Sequence, residues 1–275
     1  MRKLLLLVCV AAALFCFVGC GSGDYEELVI NIHTPSATEV FVPVPTLVPG
    51  STPAPTAEPV PGATEGPSST GGLAPTHAPY AVEPDYTVFD DAAFVGNSTF
   101  EGLYRYGVIT HGVFYTKVGL NVLTVFTAHT DKGTVPIIDE LRNGTYGKVI
   151  LMFGENELGW PSPKAYIDKY EELVDAVWER QPDTEIYIVA MPPVSAGYTD
   201  SNYVGVNNTN IQNFNAMMED LAYRRGCHYI DVPQELMTFD GALPNEASGD
   251  GLHLNLQYAR YWADHICLSV MGVFD

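Results

Sequence analysis

The chain has 275 residues, with 13 Lys and Arg against 33 Asp and Glu and a formal net charge of -20. This balance, and the absence of Lys or Arg between Lys3 and Arg105, argue against the clustered basic surface that binds nucleic acid. A hydrophobic content of 47% is enough for a core, and five cysteines are too few for a disulfide scaffold or a zinc module.

Residues 1–20 are predicted to be a lipoprotein signal peptide. A basic start precedes an unbroken apolar run from Leu4 to Val18. The run is shorter than the roughly 20 residues of a transmembrane helix and suits an export signal. It ends at Phe17–Cys20, which resembles a bacterial lipobox. The resemblance implies a lipid anchor on Cys20, at the outer face of the cytoplasmic membrane. The alternative is an ordinary signal peptide with an incidental cysteine.

Residues 21–85 are predicted to be a disordered tether. Most of the chain's 20 prolines lie between Pro35 and Pro84, among many Thr, Ser, Ala and Gly. Proline removes backbone donors and blocks helices, and little apolar surface remains to offset the entropy of ordering. We therefore expect a semi-extended linker that holds the next domain away from the membrane.

Residues 86–275 are predicted to form one α/β domain. The five predicted strands are Ala92–Val95, Phe114–Val118, Lys148–Phe153, Glu185–Met191 and His228–Val232. Most are apolar at both odd and even positions, as in strands buried on both faces. Amphipathic patterns predict helices at Pro163–Arg180, Asn208–Arg225 and Leu254–Val270. The alternation indicates a mostly parallel sheet between helices, with the reactive site at the carboxyl ends of the strands.

The first polar motif at a predicted strand end is Gly96-Asn97-Ser98. A glycine permits the tight turn, and Ser98 opens the next helix, where the backbone N–H groups favour negative charge. Ser98 is therefore a candidate nucleophile. A helix N-cap is the alternative role.

Two further motifs follow later strands. Asn156, in Gly154–Glu157, has a side-chain amide that can donate to an oxyanion, although a turn residue is the alternative. Asp250 lies three residues before His253, across a glycine, and can orient the imidazole as a general base. The alternative is an aspartate that starts the last helix beside a surface histidine.

In this order and spacing, the three motifs resemble those of the SGNH/GDSL hydrolase family, over roughly Ala92–Val270. The resemblance implies a flavodoxin-like, three-layer α/β/α domain with a catalytic triad of Ser98, His253 and Asp250. It also implies no metal and no organic cofactor.

The same resemblance implies an oxyanion hole formed by the N–H groups of Ser98 and Gly119 and the amide of Asn156. Two residues depart from the family pattern. Asn97 stands where the family has aspartate, and Glu157 replaces the aspartate that follows the asparagine. Neither departure changes a triad or oxyanion residue.

The implied activity is hydrolysis of acyl esters. With an export signal and a long tether, we expect O-acetyl esters of extracellular carbohydrate or cell-wall glycan. Candidate sugar contacts, for which plain loop packing is the alternative, are Asn121, Trp160, Tyr198 and Tyr203. Alternative functions are a non-catalytic carbohydrate-binding module on the same fold and a lipase- or thioesterase-type hydrolase. A nucleotide-binding domain is disfavoured because no glycine-rich phosphate loop is present.

Cys227 and Cys267 are the only cysteines beyond the leader and Cys20. A disulfide between them is one prediction, since it could persist outside the cytoplasm, and two free thiols are the alternative. The histidines without metal-ligand spacing, for which packing or surface roles are expected, are His111, His129, His228 and His265.

Overall fold

The computed structural model describes residues 81–198 and 205–274. The predicted signal peptide, Cys20 and almost all of the predicted tether lie outside these residues. The described part contains a five-stranded sheet in which every pairing is parallel. Its strands are β1 Ala92–Gly96, β2 Val113–Thr116, β3 Lys148–Met152, β4 Glu185–Val189 and β5 His228–Ile230.

Five α-helices connect or follow these strands in the described part of the chain. They are α1 Ser98–Arg105, α2 Ile137–Glu140, α3 Pro163–Arg180, α4 Asn208–Arg225 and α5 Leu256–Val270. Short 3₁₀ helices lie between them at Tyr86–Phe89, Thr124–Phe126, Leu141–Asn143, Glu155–Glu157, Gln234–Leu236 and Asn245–Ala247. Among the described residues, no helix is both long and apolar enough to cross a bilayer.

The helices cover both faces of the sheet. On one face α1 meets α5, where the rings of Phe100 and Trp262 lie 5.8 Å apart. On the other face α3 meets α4, where Tyr166 stacks on Phe214 at 4.7 Å. The strands between these layers are apolar at both parities because both of their faces are buried. The predicted three-layer α/β/α fold is confirmed.

The strand order is β2-β1-β3-β4-β5, the order of flavodoxin-like sheets. The chain moves outward from β1 to β2 and then crosses back to β3 on the other side of β1. A crevice therefore opens between the carboxyl ends of β1 and β3, and ligands of such sheets bind at this point. Ser98 follows β1 and Asn156 follows β3, so the fold brings both residues to that crevice.

Predicted element ends differ from the observed ends where local hydrogen bonds intervene. The prediction continues β2 to Val118, but the strand ends at Thr116 because the N–H of Leu120 closes a turn onto the carbonyl of Lys117 at 3.1 Å. The prediction continues β4 to Met191, but the backbone N–H and carbonyl of Met191 bond to the side chain of Asn215 instead of a neighbouring strand.

Candidate active site

The turn that carries Ser98 is built by its two neighbours. At Gly96, where β1 ends, an added Cβ would lie 2.8 Å from the carbonyl oxygen of Met152 on β3, so only glycine fits. Asn97 caps α1, because its side-chain oxygen accepts from the N–H of Thr99 at 3.0 Å. The N-cap alternative for Ser98 is therefore wrong: Ser98 is the first residue of the helix. Its hydroxyl makes no hydrogen bond to any residue that the structure describes.

Asp250 and His253 form a hydrogen-bonded couple. One carboxylate oxygen of Asp250 lies 2.7 Å from Nδ1 of His253, and the other accepts from the backbone N–H groups of Leu252 and His253. A carboxylate can only accept, so the ring proton lies on Nδ1 and Nε2 is left free to act as a base. Asp250 does not start the last helix, which is capped by Asn255.

Hydrogen bonds keep Asp250 ionised. Burial raises the pKa of this carboxyl, but hydrogen bonds from His253, Leu252 and Ser248 outweigh burial and hold the pKa well below its usual range. The side chains of His253 and Asp250 are 47% and 57% exposed. The pair therefore consists of an ionised Asp250, held in place by hydrogen bonds, and an imidazole of His253 that is accessible to solvent.

Ser98 and His253 line one cavity, although 155 positions separate them in the numbering. The cavity measures about 80 Å³ and lies between α1 and α5. Its apolar wall includes Leu103, Leu254 and Trp262. The fold therefore brings the candidate nucleophile and the candidate base to the same pocket.

The two other oxyanion candidates are linked through Leu120. Gly119 lies in the turn after β2 with φ +75°, a left-handed conformation that favours glycine. The amide nitrogen of Asn156 donates to the carbonyl oxygen of the next residue, Leu120, at 2.8 Å. That bond uses one of the two amide protons of Asn156, and the other remains available as a donor.

Glu157 joins the loops that carry these candidates. Its side chain is fully buried. One oxygen accepts from the N–H of Val122 at 2.9 Å, and the other accepts from the N–H of Gly154 at 3.1 Å. Burial raises the pKa of Glu157 to about 8, against the lowering effect of these two backbone bonds. The glutamate that departs from the family pattern therefore connects the loop after β2 to the loop after β3.

Glu155, in the loop after β3, contacts the turn that carries Ser98. Its Oε2 accepts from the side-chain amide of Asn97 at 3.1 Å and from the hydroxyl of Thr99 at 2.8 Å. Sequence reasoning assigned no role to Glu155 or Thr99. The available signal was their position beside the candidate site residues.

The predicted sugar contacts lie in different settings. The side-chain oxygen of Asn121 accepts from the N–H groups of Leu123 and Thr124, so this residue shapes its own loop. Trp160 packs against the core, as the alternative had it. The ring of Tyr198 lies beside Gly251 in the loop of the acid–base couple. Tyr203 lies outside the described residues.

The predicted disulfide is not formed. Cys227 and Cys267 are free thiols. Cys267 is buried in α5, where its thiol lies 3.9 Å from the sulfur of Met271, while Cys227 is only partly buried, before β5. Burial raises the pKa of Cys227 to about 11 and that of Cys267 to about 12, so both thiols stay protonated. Within residues 81–198 and 205–274, no group of three His, Cys, Asp or Glu is arranged to hold a metal ion.

Residues 63–260 match the sequence profile of the GDSL-like Lipase/Acylhydrolase family. No curated protein matches the chain. Similar solved structures include a Streptococcus pneumonia protein provisionally assigned as a platelet activating factor, with 23% identity, a TM-score of 0.54 and coverage of 69% of this chain and 85% of that chain. A GDSL-like lipase from Bacteroides thetaiotaomicron has 14% identity, a TM-score of 0.50 and coverage of 70% and 93%. At these identities the likeness concerns the fold.

Proposed function

Because the chain belongs to the GDSL-like lipase/acylhydrolase family and is a carboxylic ester hydrolase, we propose that Ser98, His253 and Asp250 are its catalytic triad. The observation that carries the proposal is the cavity shared by Ser98 and His253, together with the 2.7 Å contact between His253 Nδ1 and Asp250. In the proposed reaction, Nε2 of His253 takes the proton of Ser98 as the hydroxyl oxygen attacks the ester carbonyl. Asp250 stabilises the imidazolium that forms.

The oxyanion of the tetrahedral intermediate is held, in this proposal, by the N–H groups of Ser98 and Gly119 and by the free amide proton of Asn156. His253 then protonates the departing alcohol. Water attacks the acyl-enzyme with His253 as base, and the proton returns to Ser98. The contact between Asn156 and Leu120 supports this assignment, because it fixes the amide beside the Gly119 turn.

The proposed substrate is a short acyl ester, with O-acetyl groups on extracellular carbohydrate or cell-wall glycan as the natural class. The cavity beside Ser98 has a volume of about 80 Å³, roughly half that of an engineered 150 Å³ cavity that binds benzene. A cavity of this size fits an acyl group of a few heavy atoms. The exposed imidazole supports a bulky, hydrophilic alcohol half that extends into solvent.

Anchoring through a lipid on Cys20 is part of the same proposal. The apolar leader, the lipobox-like Phe17–Cys20 and the proline-rich segment support an exported lipoprotein on the outer face of the cytoplasmic membrane. The change Cys20→Ser tests it. We expect the protein to leave the membrane fraction and to lose incorporation of labelled fatty acid. Unchanged labelling would remove the anchor assignment.

The triad is tested with Ser98→Ala. Turnover of 4-nitrophenyl acetate and labelling by a fluorophosphonate should both be lost, because the nucleophile is absent. Ser269→Ala is the matched control, since the hydroxyl of Ser269 bonds the carbonyl of His265 within α5. Wild-type turnover in Ser98→Ala would refute the nucleophile. A panel of acetyl-xylan, acetylated peptidoglycan and longer synthetic esters then identifies the substrate class.

A further inference from the structure

Glu155 binds both residues that flank the proposed nucleophile. A single carboxylate oxygen accepts from Asn97 on one side of Ser98 and from Thr99 on the other. Glu155 itself immediately precedes Asn156, the proposed oxyanion donor. Through these bonds the turn after β1 is held against the loop after β3, so the attacking oxygen and the oxyanion donor share one rigid frame.

Asn97 and Glu155 form a matched pair. Asn97 is completely buried, and both of its side-chain polar atoms are used: the oxygen accepts from Thr99 N–H, and the nitrogen donates to Glu155. An aspartate at position 97 would place a carboxylate oxygen against the Glu155 carboxylate at a distance of about 3 Å. Like charges at that separation cannot both stay ionised in a buried setting. The amide at position 97 is therefore what a carboxylate at position 155 requires.

The charged groups that face Glu155 are His253 and Glu157. Burial raises the pKa of Glu155, and the hydrogen bond from Thr99, the charge of His253 and the hydrogen bond from Asn97 act against burial. The carboxylate of Glu155 thus lies within electrostatic range of the imidazole of His253, on the side of the Ser98 turn. The carboxylate of Asp250 instead contacts the ring directly, at Nδ1.

We propose that Glu155 is a positioning residue of this esterase: its carboxylate fixes the Ser98 turn against the Asn156 loop and favours the imidazolium that forms on His253 during attack. The inference rests on the proposed triad. Glu155 takes no proton in the step. The proton moves from Ser98 Oγ to His253 Nε2, the oxygen–carbon bond forms, and the carbonyl electron pair moves to the oxyanion.

The test is a double-mutant cycle with Glu155→Gln, Asn97→Asp and the double variant, measured on 4-nitrophenyl acetate. We expect kcat to fall about 10-fold in Glu155→Gln, with little change in KM, and to fall further in Asn97→Asp, which sets two carboxylates in contact. The double variant should regain about 10-fold over Asn97→Asp, because it again pairs one carboxylate with one amide. Glu172→Gln, on the exposed face of α3, is the matched control and should keep wild-type kcat.

A pH profile separates positioning from mere support of the fold. Loss of a negative charge near His253 makes the imidazolium less favourable. The acid limb of the kcat/KM profile should therefore move to lower pH in Glu155→Gln. This single variant keeps the proposal testable if Asn97→Asp does not fold, which thermal unfolding of each variant reveals.

Two results would overturn the role of Glu155. One is a double variant whose fold decrease in kcat equals the product of the fold decreases of the two single variants. The other is an acid limb of the kcat/KM profile that does not move in Glu155→Gln. Ser98→Ala in the same assay keeps the two claims apart. Turnover that survives in Ser98→Ala removes the triad. Turnover that is lost there, with no coupling between positions 97 and 155, removes only the role of Glu155.

Discussion

Glu157 should make the stability of the protein fall as the pH rises through neutrality. Its pKa is about 8 in the folded protein, against an ordinary value of 4.5. Below pH 4.5 the group is protonated in both states and the full stability is present. Between pH 4.5 and 8 only the unfolded chain releases the proton, so the unfolded state is favoured progressively. Above pH 8 both states are ionised and the loss is complete.

The magnitude follows from the two pKa values. Their difference, at about 1.4 kcal/mol per unit, corresponds to a loss of about 5 kcal/mol in the free energy of unfolding across this range. The residue is fully buried, so solvent screening does not reduce the value greatly. Glu157→Gln cannot ionise and loses this pH dependence. Its amide nitrogen must face one of the two backbone N–H donors, which costs about 1–3 kcal/mol at every pH.

Urea unfolding of the full chain from pH 5 to pH 9 measures both effects. At pH 5 the wild type should be more stable than Glu157→Gln, and the gap should close or reverse by pH 9. The exposed control Glu172→Gln should follow the wild type throughout, because surface ion pairs contribute little. A difference between wild type and Glu157→Gln that stays constant within about 1 kcal/mol from pH 5 to pH 9 would refute the reasoning.

Four further variants test the turn after β1, helix α1, the cavity and the oxyanion donor. Gly96→Ala should lower the free energy of unfolding by about 1–3 kcal/mol, because its Cβ meets the Met152 carbonyl. Gly102→Ala, whose Cβ finds only ordinary contacts in α1, should raise it by about 0.5–1 kcal/mol in the same thermal unfolding experiment. Gly102→Val should fill the cavity and lower kcat/KM for butyryl esters more than for acetyl esters; an equal loss for both would contradict the assigned acyl pocket. Asn156→Ala should lower kcat about 10²–10³-fold in steady-state assays if its amide binds the oxyanion, and an unchanged kcat would exclude that role.

The strands and long helices could be predicted because their signal is local. An apolar run, or a helical periodicity, is formed by residues that lie within a few positions of one another. The helices α3 and α4 begin and end where predicted. The ends of strands and helices are harder to predict, because side chains distant in sequence determine them. The end of β4 depends on Asn215, which lies 24 residues beyond Met191.

The same distinction applies to the candidate site. Ser98, Asp250 and His253 were predictable from short motifs, because each motif is contiguous. The contact between Glu155 and Asn97 joins residues 58 positions apart, and a single sequence contains no sign of it. The N-cap role was considered for Ser98, as its alternative, and not for Asn97, for a related reason. Both Asn97 and Ser98 are good capping residues, and only the backbone angles distinguish them.

The turn of Ser98, the proposed nucleophile, follows β1, while His253, the proposed base, precedes α5. The pocket that they line joins positions 155 apart in the numbering, and contacts between residues so distant in sequence are slow to form. Enzymatic turnover is consequently a reporter of the finished domain. A fragment that stops before Asp250 would retain every strand and still lack the proposed base, so recovery of activity during refolding should trail recovery of the circular dichroism signal.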